Sequence, residues 1–403
     1  MENLTVACVQ QRMRIFPAHE EFEAEARRFL RQAQAKAAHL TIFPELTGVM
    51  LAPPLISGFK LGFIKREDQG KQRGAGFLSR SLGKVSGTTA GALGGGFRGS
   101  LERLLKKNND ALREACFDTF GRLAREFGTA IVAGSLYLYD EETGTVKNRA
   151  CVFDVDGEVL GYQDKFNLAP GEQDLASPGT ELTVFHARYG RVGLLIGRDA
   201  LYPELARLLA VKEADLLIGI SASPGVAQAS VLRSALALRA EENQVFAAAS
   251  FLLGPNHLGR GGRDEFFGQS ALLAPISLTP KGDGILVQVG TDRTEGLIAA
   301  ALPLDELYNL RQTSRFRPRQ QMHLGNMGPV LAEIYQQGLS IEQAIEQGAG
   351  GPAEPFPEPS PFEAVVPAEP SEEVPEAEPE VPYPSVPEAI SLTGEQGPEE
   401  PEE

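Results

Sequence analysis

Three cysteines in 403 residues are too few for a disulfide framework, and no cysteine or histidine spacing has the form of a zinc site, so no metal is expected. No apolar run reaches the roughly 18 residues of a membrane-spanning helix. Met1-Glu2-Asn3 carries no basic cluster and leads directly into the strand-like Leu4 to Gln10, so no secretory leader is expected and the cytoplasm is the expected compartment. Lys, Arg and Asp are missing from residues 351–403, which hold 15 Glu and 14 of the 28 Pro. That tail has too little apolar surface to offset ordering entropy and reads as disordered and solubilising. It also accounts for nearly all of the formal net charge of -16, because the other residues balance 38 basic against 39 acidic groups. The global acidity therefore excludes no class of substrate. With 42% hydrophobic and 23% charged residues, collagen-like, coiled-coil and wholly disordered readings are excluded.

The length is a prior of two to three domains, and composition divides the chain. Residues 1–311 alternate short apolar runs with helical patterns. Phe22, Ala26, Phe29, Leu30 and Ala33 predict a helix over Glu21–Ala37 between strands at Leu4–Val9 and Leu40–Phe43. A further helix is predicted over Ala111–Phe127, a strand over Thr129–Tyr139, and a hairpin around Asp156-Gly157. Arg191–Ile196 and Asp215–Ile220 read as strands buried on both faces. Residues 47–109 interrupt this rhythm as a long loop-like insertion. Its stretch 60–107 carries 11 basic residues against Glu67, Asp68 and Glu102, interleaved with apolar residues such as Phe97, Leu101 and Leu104. A solvated lid is the ordinary reading, and weak contact with an anionic membrane surface is the alternative. No nucleic-acid module accompanies it. Residues 312–350 read as a partly helical extension.

Four places are candidates for chemistry: Glu45 at the end of the second strand, Lys165 after the hairpin, Glu172 seven residues on, and Gly197-Arg198-Asp199 between a buried strand and a helix. Polar groups just past the carboxyl ends of buried strands commonly line sites in α/β folds.

The order of these pieces resembles the carbon-nitrogen hydrolase, or nitrilase, superfamily over about residues 4–311. The resemblance rests on Phe43-Pro44-Glu45-Leu46, Ala133-Gly134-Ser135, Asn148 and the hairpin leading to Lys165, Ser177-Pro178-Gly179, Asp199 through Pro203-Glu204, Glu242-Asn243-Gln244 and Phe267-Gly268-Gln269-Ser270. It implies a four-layer αββα sandwich, no metal or organic cofactor, and a homodimer or larger homo-oligomer. It implies Glu45 as general base, Lys165 as the cation that stabilises an oxyanion, and Glu172 as a second carboxylate holding substrate and lysine. Arg198 and Asp199 become expected substrate contacts, with Arg198 reaching Glu45 or Glu172.

The sequence departs from that family where the thiol nucleophile belongs. Ile196 is followed by Gly197, and Cys8, Cys116 and Cys151 each fall where a small buried hydrophobe is expected. Without a side chain at 197 no acyl-enzyme forms there. Loss of such a nucleophile alone costs on the order of 10⁶ in rate. The expectation is a binding, regulatory or assembly protein that takes a small amide-like or carboxylate ligand. The alternative is an active hydrolase in which Glu45 activates water or Ser221 or Ser223 attacks.

Overall fold

The computed structural model describes residues 3–56, 97–106, 109–187, 190–259, 264–314, 324–337 and 343. Expectations for 57–96 of the insertion, for most of 312–350 and for the acidic tail lie outside these residues. The chain divides into two units, Met1–Met322 and His323–Glu403. The described part of the second is essentially one helix, Leu324–Gln337, with Pro329 inside it.

The first unit begins with β1 (Leu4–Arg12), α1 (His19–Gln34) and β2 (Leu40–Ile42), followed by 3-10 turns at Thr47–Leu51 and Pro53–Leu55. Residues 97–106 form α2. Then come α3 (Asn109–Phe127), β3 (Ala130–Asp140), β4 (Thr145–Phe153), β5 (Val159–Asp164), β6 (Val184–Ala187) and β7 (Gly190–Ile196). After a 3-10 turn at Gly197–Leu201 the order is α4 (Pro203–Val211), β8 (Leu216–Ser221), β9 (Ser223–Pro224), α5 (Val226–Asn243) and β10 (Phe246–Pro255). β11 (Glu265–Phe267), β12 (Ala271–Leu273), β13 (Ile285–Gln288), β14 (Gly296–Leu302) and α6 (Leu304–Thr313) complete it.

Two sheets pack face to face. One runs β5-β4-β3-β2-β1 with β14 antiparallel to β1, and the other runs β10-β8-β7-β6 with β12 and β13 beyond β10. They join where Gln11 and Arg12 of β1 pair in parallel with Leu252 and Leu253 of β10. Side chains alternate across each strand, so one set fills the space between the sheets: Val6, Cys8, Leu40, Ile42 and Val132 meet Leu194, Ile196, Ile218, Ile220 and Phe246. The opposite set of the first sheet is covered by α1, α2 and α3, and that of the second by α4 and α5. These are the four layers expected from the sequence. The helix over α1 buries Phe22, Ala26, Phe29, Leu30 and Ala33, the stripe its periodicity marks. The expected hairpin turn is present, with Gly157 at φ +81°.

Two expectations change. The insertion is not structureless at its described ends: Thr47 to Leu51 are fully buried, and α2 places Phe97, Leu101, Leu104 and Leu105 in the core. Those apolar residues are therefore part of the packing, not an outward apolar surface. Strands β6, β9, β10, β11 and β13 were not expected; β10 is a mostly apolar run, interrupted by Ser250, without the alternation that marks a half-buried strand.

The segment bearing Glu45 is held from both sides. Phe43 is fully buried and stacks edge-on against Phe29 and Phe120. Ser135 Oγ accepts the Leu46 N–H at 3.0 Å, and Thr47 Oγ1 donates to Pro44 O at 2.8 Å. Leu46 itself is held in the left-handed region at φ +64°, a conformation that costs about 1–3 kcal/mol and persists only when its surroundings enforce it. The pairing of β3 with β4 shifts register between Val132 and Ser135, where Gly134 adopts φ +71°. A Cβ on Gly134 would lie 2.1 Å from Pro44 O. Gly134→Ala is accordingly expected to destabilise the fold by at least about 2 kcal/mol, measurable as a lower urea midpoint with an unchanged denaturant slope.

Candidate active site

Four strand ends and one hairpin strand converge on a cavity of ≈ 640 Å³. Glu45 follows β2, Lys165 follows β5, Gly197 follows β7, and Ala222 follows β8. Asn148 lies within β4, and Glu172 comes from the loop after Lys165. Lys165 is 3% exposed and its Nζ donates to Glu45 Oε1 at 2.7 Å and to Glu172 Oε2 at 2.6 Å. Asn148 Nδ2 donates to Glu45 Oε1 at 3.2 Å and to Glu172 Oε1 at 2.9 Å, tying the two carboxylates together. The Ala222 N–H completes Glu45 at Oε2, 2.8 Å away. Tyr137 Oη and the Ala169 N–H complete Glu172 at 3.0 and 2.7 Å.

Each charge responds to this arrangement. Burial dominates at Glu45 and pushes its pKa above the usual carboxylate value, against the pull of the Lys165 ammonium. Burial acts upward on Glu172 as well. There Lys165 and the hydrogen bonds from Ala169 and Asn148 outweigh it and hold the pKa below the usual value. Burial would strip Lys165 of its proton, but the two carboxylates overcome it and raise its pKa. The result is a fixed cation, a carboxylate kept ionised and a second carboxylate poised to take up a proton. That division of labour suits acid-base work beside a developing oxyanion.

Gly197 faces this pair directly. It sits at φ +54°, and a Cβ built on it would lie 2.9 Å from Glu45 Oε2 and 3.1 Å from Lys165 Nζ. Arg198 lines the cavity but makes no ion pair with Glu45 or Glu172, whose oxygens are occupied by the donors above. The contact expected of Arg198 is thus not made. Asp199 also departs from expectation. It is buried and accepts hydrogen bonds from the backbone N–H groups of Phe166, Asn167 and Ile196 and from Asn167 Nδ2. It clamps the Lys165 loop to the end of β7 and is absent from the cavity wall. Ser221 and Ser223 line the cavity, yet their hydroxyls bond each other at 2.7 Å and neither bonds Glu45 or Lys165. The three cysteines are buried in the core, away from the cavity wall, and burial pushes the Cys151 thiol up to about 12. Among the described residues no cluster of acidic, histidine or cysteine side chains could hold a metal. No described helix is long and apolar enough to cross a membrane.

A family model for carbon-nitrogen hydrolases matches residues 5–312. The chain belongs to the carbon-nitrogen hydrolase family. Its relatives include an omega-amidase of Xenopus tropicalis, 28% identical over 218 residues that span 51% of this chain and 72% of the relative. An N-carbamoylputrescine amidase of Solanum tuberosum is 27% identical over 47% of this chain and 64% of its own length. Among solved structures, an amidase of the nitrilase superfamily from Nesterenkonia AN1 superposes with a TM-score of 0.55 at 21% identity, covering 84% of this chain and 98% of the other. A carbon-nitrogen hydrolase from Helicobacter pylori gives a TM-score of 0.55 at 19% identity over 80% of this chain and 96% of the other. At these identities the structural likeness speaks to the fold.

Within this member of the family, sequence reasoning gave no site role to three groups, Tyr137, Arg98 and Asn148, the last of which it used only as a mark of the family resemblance. Tyr137 stands on a mostly apolar strand, and Asn148 is a fully buried amide between Lys147 and Arg149 that must find partners. Arg98 comes from the insertion, donates to Gly171 O at 2.8 Å and lines the cavity. Lys165→Met leaves two buried carboxylates side by side and is expected to cost about 3–5 kcal/mol near neutral pH. Both carboxyl pKa values rise without the cation, so the lost stability returns as pH falls from those raised values and is recovered on reaching the ordinary carboxylate value near about 4–5. Urea melts of the variant and the parent at two pH values measure this, and a loss independent of pH would contradict the assignment.

Proposed function

We propose that this protein is a carbon-nitrogen hydrolase family member that has lost thiol-based amide and nitrile hydrolysis and binds a small ligand in a regulatory or assembly role. The observation that carries the reading is Gly197, the residue facing Glu45 and Lys165 where the family resemblance puts the nucleophile. Acyl transfer of that type needs a thiolate to attack the carbonyl carbon, the lysine to stabilise the resulting oxyanion, and the glutamate to carry the proton. The second and third parts are held by several hydrogen bonds each. The first has no atoms. The amidase names of several relatives support an amide-derived ligand as the ancestral occupant. The reading extends to a cytoplasmic homo-oligomer, supported by exposed apolar residues on α4 and α5: Leu208 at 51%, Val211 at 54% and Leu238 at 62%.

A hydrolase running on water activated by Glu45 is the competing reading, and the raised Glu45 pKa favours it. The serine route has less support, because the Ser221–Ser223 pair is not bonded to a base.

Aliphatic amides, nitriles and N-carbamoyl amines incubated with the purified full chain are expected to release no ammonia above the buffer rate. Release that disappears in Glu45→Gln would overturn the proposal in favour of water activation. Gly197→Cys is expected to gain slow amide turnover that requires Glu45. The gain should be modest, since the new Cβ must displace Glu45 Oε2 by a few tenths of an ångström and adopt a positive φ.

A further inference from the structure

Arg98 is nine-tenths buried, a depth at which a guanidinium has to find partners in the protein. It stands in the first turn of α2, a helix docked by Phe97, Leu101 and Leu105 in the core. Its Nε donates to Glu102 Oε1 at 3.1 Å, within the same helix. Its Nη1 crosses to Gly171 O at 2.8 Å. Gly171 immediately precedes Glu172.

The loop that carries Glu172 is fixed at its two ends. Asp199 accepts the Phe166 and Asn167 N–H groups at the start, and the Ser177 N–H donates to Val146 O at 2.8 Å at the finish. Between these anchors lies the turn 169–172. The Glu172 N–H closes it on Ala169 O at 2.8 Å, and the Ala169 N–H donates to Glu172 Oε2 at 2.7 Å. Both bonds run from the turn to itself, so they fold it without placing it. Among the described residues, the hydrogen bond that ties the backbone of this turn to another element is the one from Arg98. A bond from a charged donor is shorter and stronger than one between neutral groups, which suits it to hold a short turn alone.

The position of the turn matters because Glu172 has no slack. Its Oε2 takes the Lys165 ammonium at 2.6 Å, and its Oε1 takes Asn148 Nδ2 and Tyr137 Oη at 2.9 and 3.0 Å. Such bonds weaken steeply when their geometry is disturbed. Arg98 also faces the Tyr137 hydroxyl: burial raises the pKa of that group, and the Arg98 charge opposes the rise.

We infer that Arg98 is a positioning residue for the site. Through Gly171 O it sets the turn that presents Glu172 to Lys165, so the docking of α2 governs the geometry of the second carboxylate. The inference rests on the reading of the Glu45–Lys165–Glu172 cluster as the binding site, and it holds whether or not that site hydrolyses its ligand.

Hydrogen–deuterium exchange of the full chain, resolved to single amides by mass spectrometry, tests it at Ala169 and Glu172, whose N–H groups close the turn. Arg98→Met keeps the apolar stem and removes the donors. It is expected to speed both amides at least about ten-fold, the factor that corresponds to about 1.4 kcal/mol, while β4 and the last turn of α2 keep their parent rates. Arg98→Lys retains a charged donor and is expected to restore most of the protection. Glu102→Gln removes the other partner of Arg98 and is expected to leave both amides unchanged. Parent rates at Ala169 and Glu172 in Arg98→Met would overturn the inference. So would acceleration that spreads equally through α2, acceleration by Glu102→Gln that matches Arg98→Met, or an Arg98→Lys variant no better protected than Arg98→Met. Ammonia released from amides by the parent chain, and lost in Glu45→Gln, would refute the non-hydrolytic reading without altering these rates, so the two fail separately.

Discussion

The ammonium of Lys165, buried between Glu45 and Glu172, is the interaction around which the described site is organised. A charge removed from water at that depth is tolerated only when nearby groups replace its hydration. Each neighbour therefore has a defined task. Asn148 ties the carboxylates together, Tyr137 and Ala169 satisfy Glu172, and Ala222 satisfies Glu45. Asp199 holds the backbone that presents the lysine. These partners come from both sheets, so the ion pair forms only when the sandwich is assembled.

The same constraint explains how a site of this kind can outlast its nucleophile. Removing Lys165 would strand two buried carboxylates, whereas a glycine at 197 strands nothing. Under the proposed reading the electrostatic part of the machinery persists because the fold depends on it. The cavity wall is then free to serve recognition. Arg198, beside Gly197, has no acidic partner among the described residues.

Much of the architecture was legible from periodicity. The stripe of α1, the doubly buried strands β7 and β8, and the turn at Asp156-Gly157 all carry local signals that tertiary packing reinforces. Strand β10 carried none, since a mostly apolar run without alternation suits a buried helix as well as a buried strand. Helix α2 was hidden within a glycine-rich, basic stretch, and only its docking against the first sheet shows that Phe97 and Leu101 are core residues. At the site, Glu45, Lys165 and Glu172 were recognisable from their order along the chain. Asp199 meets backbone N–H groups, a placement the sequence could not show, because a carboxylate beside a site looks the same in sequence whether it meets a ligand or the backbone.

Sequence alone determined the family, the identity of the three charged groups, and the absence of a side chain at position 197. These are matters of residue type and order, which need no coordinates. Only the tertiary structure decided which groups meet. It turned Asp199 toward the backbone, left Arg198 without an acidic partner among the described residues, and brought Arg98 from the insertion to the cavity wall. The reason is physical: hydrogen bonds and ion pairs act over about 3 Å, and residues separated by some 70 to 120 positions reach that distance only through the packing of the two sheets and the helices that cover them.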